Sequence, residues 1–396
     1  MARLISILLT GLLVVLGLAY TLVVHRLVHI HGVLKGAGSI RPQGNARCET
    51  IPSLEACEDL WIHRPTGLVY LACASRKGRM LWSPYFLIFK QPSHNDYVAI
   101  YDPRDLSVTR LGLDGFDDPR GLNVHGMDVV ASRADPETLF ISLVNHRPQP
   151  ARNEYEHGAD SVIEIFSTTL GSNTLTHVKT FRDPEVIITP NSVSWSPDGD
   201  SLYFTNDHPT RLGHAGRTAT FLFNLARSSV GYCHVDHGCK MAAESVNGAN
   251  GITTIDGDIF YVSNSFGGAI GVFRRLTDNT LSQVDSIFLG RSPDNLSFDE
   301  ENNLYAATFI NSIGFATRSS HDYTIPSPSS VYKISLNQTT ANTSRAGGGK
   351  GKYAVDKIFE DDGTLATGIT TAAWSSDGKK LYLTGILSPW LLVCQI

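Results

Sequence analysis

The chain has no excess of positive charge. Its 33 Lys and Arg stand against 38 Asp and Glu, for a formal net charge of −5. No Lys/Arg-rich run of the kind that tracks a phosphate backbone is present, which speaks against nucleic acid as a partner. The motifs of the common hydrolases are missing too. There is no Gly-x-Ser-x-Gly elbow and no His-Glu-x-x-His, which argues against serine hydrolases of that type and against zincins. Gly349-Lys350-Gly351-Lys352 has the composition of a phosphate loop but not its spacing, and reads as an exposed loop. Charged residues make up only 18% of the 396 positions and hydrophobic ones 42%, enough for one large all-β domain or two ordinary ones.

One stretch lacks charge altogether. From Leu4 to Val24 no residue is ionisable at neutral pH, and the span is long enough to cross a bilayer core as a helix. The expected reading is an uncleaved signal-anchor at 1–30, with a cleaved signal peptide as the alternative. Either sends the rest to the secretory lumen or beyond, membrane-anchored through the N-terminal helix or secreted. Residues 31–47 are expected as a linker, and 48–396 as the folded domain. The six cysteines suit an oxidising compartment. Cys48 and Cys394 stand at the two ends of the folded region, Cys57 and Cys73 flank a turn at His63 to Gly67, and Cys233 and Cys239 are near neighbours. Sequence allows about fifteen pairings and does not choose among them. Cys233-His-Val-Asp-His-Gly-Cys239 reads better as a disulfide loop with solvated histidines than as a zinc site. Sequons at Asn337 and Asn342, in a Ser/Thr/Gly-rich stretch, predict a glycosylated loop.

A repeated hairpin sets the expected architecture. It runs through Glu58–Leu71, His125–Leu143, Asn191–Phe204, Asn250–Val262, Asp294–Ala307 and Thr370–Leu383, with Asp-Gly turns in three copies. Six alike hairpins predict a six-bladed β-propeller, with a pair of β-sandwiches as the alternative. In a propeller the residues opening each inner strand converge on the axis. Here they are Glu58 and Asp59, His125, Asn191, Asn250, and Asp294 with Asn295. Carboxylate and amide oxygens are what calcium selects, at about six to eight ligands, whereas zinc prefers clustered His and Cys. A lone Asn is usually a turn or cap residue; recurrence at one phase of several repeats is what argues for a shared ion. Asn295-Leu-Ser297 also forms a sequon, but an axial position would be closed to a sugar.

At Glu58-Asp59-Leu60, Val124-His125-Gly126, Leu143-Val144-Asn145-His146, Thr205-Asn206-Asp207-His208, Ala249-Asn250-Gly251-Ile252 and Asp294-Asn295-Leu296-Ser297 the chain resembles the paraoxonase and arylesterase family from about Cys48 onward. The resemblance implies a calcium-dependent lactonase and esterase on a six-bladed propeller. It implies a catalytic calcium on Glu58, Asn191, Asn250, Asp294 and Asn295. It implies a second calcium at Asp59, the carbonyl of Met127 and Ser192, where the family has Asp; that departure puts the second site in question, with Asp128 as a substitute ligand. It also implies a disulfide between Cys48 and Cys394, a histidine dyad of His125 and His146, and pocket residues Asp207 and His208 orienting the dyad. Thr308 stands where the family has a free cysteine. In such a dyad a neutral imidazole takes a proton from water, a second hydrogen-bonded behind it holds its tautomer, and the metal polarises a lactone or ester carbonyl. Asp294 is a rival general base. The alternatives are a non-catalytic calcium-stabilised propeller that binds a partner through its loops, and a gluconolactonase-like or strictosidine-synthase-like enzyme; the paired histidines argue against the last.

Overall fold

A computed structural model describes residues 2–336, 352–375 and 377–396. The expected hairpins are the inner two strands of six sheets arranged around one axis. Blade 1 runs outward through Asp59–His63, Leu68–Cys73, Tyr97–Asp102 and Ser107–Arg110. Blade 2 holds Val124–Ala131, Thr138–Arg147, Asp160–Thr169 and Thr174–Phe181, with Gly112–Asp114 added in parallel outside. Blades 3 to 5 begin at Pro190–Trp195, Ala249–Thr254 and Ser292–Phe298. Each innermost strand packs between the innermost strands of its two neighbours, and Thr371–Ser375 of blade 6 returns to Asp59–His63 to close the ring.

Local chemistry explains the hairpins. At Ser196-Pro-Asp-Gly199 the Asp198 carboxylate accepts from the amides of Asp200 and Ser201, and Gly199 takes φ +75°, a conformation that costs a residue with a Cβ dearly. Asp256 and Gly257 repeat the device. Alternating apolar residues then fill the space between sheets. Tyr70, Ala72 and Ile100 of blade 1 meet Leu139, Ile141 and Phe166 of blade 2, all buried.

The ring is fastened where its ends meet. Cys48–Ile51 is the outermost strand of blade 6, antiparallel to Leu391–Gln395, and Cys48 faces Cys394 in register. These two cysteines are bonded, as are Cys57 with Cys73 and Cys233 with Cys239. The third pair is a cross-strand bond closing the end of a hairpin rather than a bond within a loop. His234 and His237 stack on each other there, and three disulfides fit an oxidising compartment.

The N-terminal region departs from expectation. The α-helix Ala2–Ala19 gives way to a π-helical turn at Tyr20–Val24 and a short helix His25–His29. Among the described residues no helix is long and apolar enough to cross a membrane, so the spanning anchor expected over Leu4–Val24 is not found as one helix. Residues 31–47 are not a free linker either: Gln43 exchanges backbone hydrogen bonds with Glu360, and Ile40 is buried. The sequons at Asn337 and Asn342 lie outside the described residues.

Removing the ring-closing bond by Cys48→Ala with Cys394→Ala is expected to lower stability by about 2–5 kcal/mol, read from urea unfolding. A loss no larger than that of a surface substitution would show that strand pairing alone closes the ring.

Candidate metal centre

The opening strands of four successive blades share one irregularity. Pairing in blade 2 skips from Leu143 opposite Met127 to Asn145 opposite Val124, leaving His125 and Gly126 out of register. It skips Asn191 and Ser192 in blade 3, Asn250 and Gly251 in blade 4, and Asp294 and Asn295 in blade 5. A bulge frees its residues from the ladder and re-aims their side chains. Two glycines let the bulged backbones nest. A Cβ on Gly126 would lie 2.4 Å from the Asn191 carbonyl oxygen, and one on Gly251 would lie 2.5 Å from that of Asp294. Glu58 enters from the start of blade 1, its amide bonded to the Ala72 carbonyl. Blade 6 brings Thr370 and Thr371, whose hydroxyls both donate to the Glu58 carbonyl.

The side chains so released are buried and oriented by one another. Asn295 Nδ2 donates to Glu58 Oε1 at 2.8 Å, Asn191 Nδ2 approaches Asp207 Oδ2 at 3.5 Å, and Asn250 neighbours Asp294. With the NH2 groups of Asn295 and Asn191 turned toward carboxyl groups, the amide oxygens are left over. Asn191 Oδ1, Asn250 Oδ1, Asn295 Oδ1 and Glu58 Oε2 are all buried without a hydrogen-bond partner. A buried acceptor without a donor costs about 1–3 kcal/mol, so four around one axis is a large uncompensated penalty. Burial, with Asp59 and Asp294 nearby, pushes the Glu58 carboxyl well above its usual range, and burial pushes Asp294 up to about 8. A divalent cation would answer both deficits, and this oxygen set fits a hard one. Among the described residues no cluster of three or more His, Cys, Asp and Glu could hold a metal. The set is largely amide, outside the chemistry zinc selects.

His125 borders this group. Its Nε2 lies 3.3 Å from Asn191 Nδ2 and 3.9 Å from Glu58 Oε1. The His146 ring is 5.3 Å away, tilted 59°, and its Nδ1 pairs with Ser161 Oγ at 2.8 Å. The two imidazoles are therefore in ring contact and not hydrogen-bonded, a correction to the expected relay. Burial, with His146 and Arg79 adding repulsion, holds His125 well below its ordinary pKa. Burial and the nearby Arg79 and Arg217 hold His146 at about 3. Arg79 is buried, 4.0 Å from Asp96, and donates to the Val124 carbonyl just before His125. Nothing in the hairpin pattern pointed to it.

Asp207 and His208 sit at the site without reaching the dyad. Asp207 touches Asn191, and the His208 ring lies between Tyr85 and Phe266 at 5.3 and 5.8 Å. A cavity of about 600 Å³ opens above the oxygen group. Glu58, His125, Asn191, Asn250 and Asp294 lie at its polar end, and its walls carry Phe86, Phe221, Phe266, Phe309 and Phe315. Sequence reasoning missed Tyr85 and Arg217. Arg217 donates to the carbonyls of Pro84, Tyr85, Thr210 and Arg211, and so fixes the helix His214–Phe223 over the cavity.

The second cation position does not fit in the same way. Asp59 accepts from the amides of Met127 and Leu60, with Thr371 Oγ1 3.1 Å from its Oδ1. Asp128, the substitute considered for it, accepts from the amides of Trp195 and Val129, and Ser192 Oγ accepts from that of Ile252. Their side-chain oxygens are thus satisfied within the chain, unlike those of the first group. Thr308 is buried and bonds to Ser330.

The sequence pattern of the family described as Arylesterase matches residues 92–395. The chain belongs to the arylesterase family. It is 27% identical over 293 residues to human (Homo sapiens) serum paraoxonase/arylesterase 2, covering 72% of this chain and 75% of that one. The chicken (Gallus gallus) protein of the same name is 25% identical over 292 residues, with the same coverage. Among solved structures, a luciferin-regenerating enzyme superposes with TM-score 0.50 at 15% identity over 87% of this chain and 94% of its own, a likeness of fold. Membership supports hydrolysis of esters or lactones as the activity.

A pH dependence follows from Asp294. With cations chelated, its carboxyl titrates at about 8 against an ordinary 3.8. The folded chain then keeps a proton that the unfolded chain has released, so stability falls as pH rises through that window. Urea unfolding of chelated protein is expected to show less stability at about pH 8 than at about pH 7, above the range where the buried histidines His125 and His146 add an opposing slope, with calcium flattening the fall. A rising slope in chelator contradicts the assignment.

Proposed function

We propose that this protein is a calcium-dependent hydrolase of lactones and aryl esters. The observation that carries the reading is the set of four buried, unpartnered oxygens beside a neutral imidazole at the polar end of a large apolar cavity. Glu58, Asn191, Asn250, Asp294 and Asn295 would hold the ion. When bound, it supplies a Lewis acid that polarises the substrate carbonyl and stabilises the oxyanion.

The chain's own residues do the rest. The phenylalanine walls bind the apolar part of a substrate and exclude water from around it, which strengthens electrostatic interactions at the polar end. His125, kept neutral by burial, takes a proton from the attacking water at Nε2. Glu58 Oε1, 3.9 Å from that nitrogen, favours the imidazolium as it forms. His146, in ring contact and anchored on Ser161, is a positioning residue in this reading, because no hydrogen bond carries a proton to it from His125. Asp294 is the less favoured base, since its carboxyl is taken up with Asn250 and the ion. We further propose membrane contact at the helix Ala2–Ala19, where side chains such as Ile7 and Leu13 are two-thirds exposed.

A lactone and aryl-ester panel titrated with calcium and chelator tests the proposal. Hydrolysis is expected to require calcium and to return on its readdition. His125→Gln is expected to lower kcat about 10²- to 10⁴-fold with an unchanged melting temperature. No hydrolysis by folded, calcium-loaded protein would favour a propeller that only binds a partner.

A further inference from the structure

The cavity's outer wall includes a part of the chain that no blade supplies. Leu27 and Val33, just beyond the apolar helix, line it together with Phe221, Leu222, Phe266 and Ser312. The segment carrying them is bolted to four separate elements around the opening. Arg26 Nη1 donates to the Leu222 carbonyl at 2.6 Å, and Nη2 to those of Phe221 at 3.1 Å and of Phe266. Phe221 and Leu222 end a helix, where carbonyls lack intrahelical donors and the dipole favours a cation, so Arg26 acts as a cap supplied from far away in sequence. His31 is buried, with Nδ1 2.8 Å from Ser312 Oγ and its ring 4.3 Å from that of Phe221. Arg291 donates to the His29 carbonyl, and Asn311 to that of Lys35. Gly32, at φ +60°, passes so close to Ile310 that a Cβ would lie 1.9 Å from its carbonyl oxygen. That is the contact density of a built wall, not of a tether leaving the domain.

We infer that residues 26–33 complete the substrate cavity, with Leu27 and Val33 as specificity-determining residues and Arg26 as the positioning residue that clasps the helix His214–Phe223 and the turn at Phe266 around it. The inference rests on the hydrolase reading and adds to it. The segment usually read as leader or linker then decides which apolar groups fit above the metal centre. Shortening the chain past Arg26 changes selectivity, whereas shortening it within the apolar helix leaves the wall standing.

The test compares Leu27→Trp, Leu27→Ala and Arg26→Met in the full chain, using phenyl esters whose acyl group widens from acetyl to pivaloyl to adamantanecarbonyl. The readout is the ratio of kcat/KM for the bulkiest ester to that for acetyl. The tryptophan is expected to lower this ratio about tenfold and the alanine to raise it, with Arg26→Met raising KM more than it lowers kcat. A merely structural position would move both Leu27 variants the same way or not at all, and either result overturns the inference. Nile red, an uncharged apolar probe, gives a readout without turnover: Leu27→Trp is expected to weaken its binding about tenfold, and unchanged binding overturns the inference. If no ester is hydrolysed by any form, the hydrolase reading fails and the wall is judged on Nile red alone.

Discussion

Burying oxygen atoms that no donor reaches is the constraint on which this molecule turns. A propeller brings six strand openings to one axis, where side chains distant in sequence converge. The chain places two carboxyls and three amides there and turns the NH2 groups of Asn295 and Asn191 toward carboxyl groups, so that the amide oxygens are left buried without a donor. Without a cation, burial drives the Glu58 and Asp294 carboxyls upward and so favours their protonated forms. Their arrangement makes sense as the protein half of a site whose other half is an ion.

The same axis is tied to how the ring closes. Thr370 and Thr371 of blade 6 grip the Glu58 carbonyl of blade 1, and Asn295 of blade 5 holds the Glu58 carboxyl. Outside them the N-terminal strand completes blade 6 and is bonded through Cys48 to Cys394. Anything that loosens this seam loosens Glu58. The histidines answer to a different seam, between blades 1 and 2, where burial holds both rings below their ordinary pKa and Arg79, donating to the backbone before His125, adds to it.

The hairpins were legible in the sequence because each joins short-range signals, a β-rich run and a turn residue such as Gly199 or Gly257 whose φ is positive. The oxygen set was legible because it recurs at one phase of the repeat, and the resemblance to a family named the same residues. The bulges at Asn191, Asn250 and Asp294 were not, since a skipped residue is a property of pairing with a partner strand. Arg79, Tyr85 and Arg217 were invisible for a related reason: they lie on connections between repeats and act on blades distant in sequence. The contact between His125 and His146 is of ring on ring, and the anchoring of His146 Nδ1 on Ser161 of the next strand is again a property of strand pairing that the repeat does not carry. Residues 26–33 were passed over because an apolar run followed by a short polar stretch looks the same whether it leaves the domain or folds back upon it.

The most direct test is anomalous scattering from crystals grown in calcium. The account predicts one strong peak on the propeller axis, about 2.3–2.6 Å from side-chain oxygens of Glu58, Asn191, Asn250, Asp294 and Asn295. An axis with no peak, and with those oxygens turned onto protein donors instead, would contradict it.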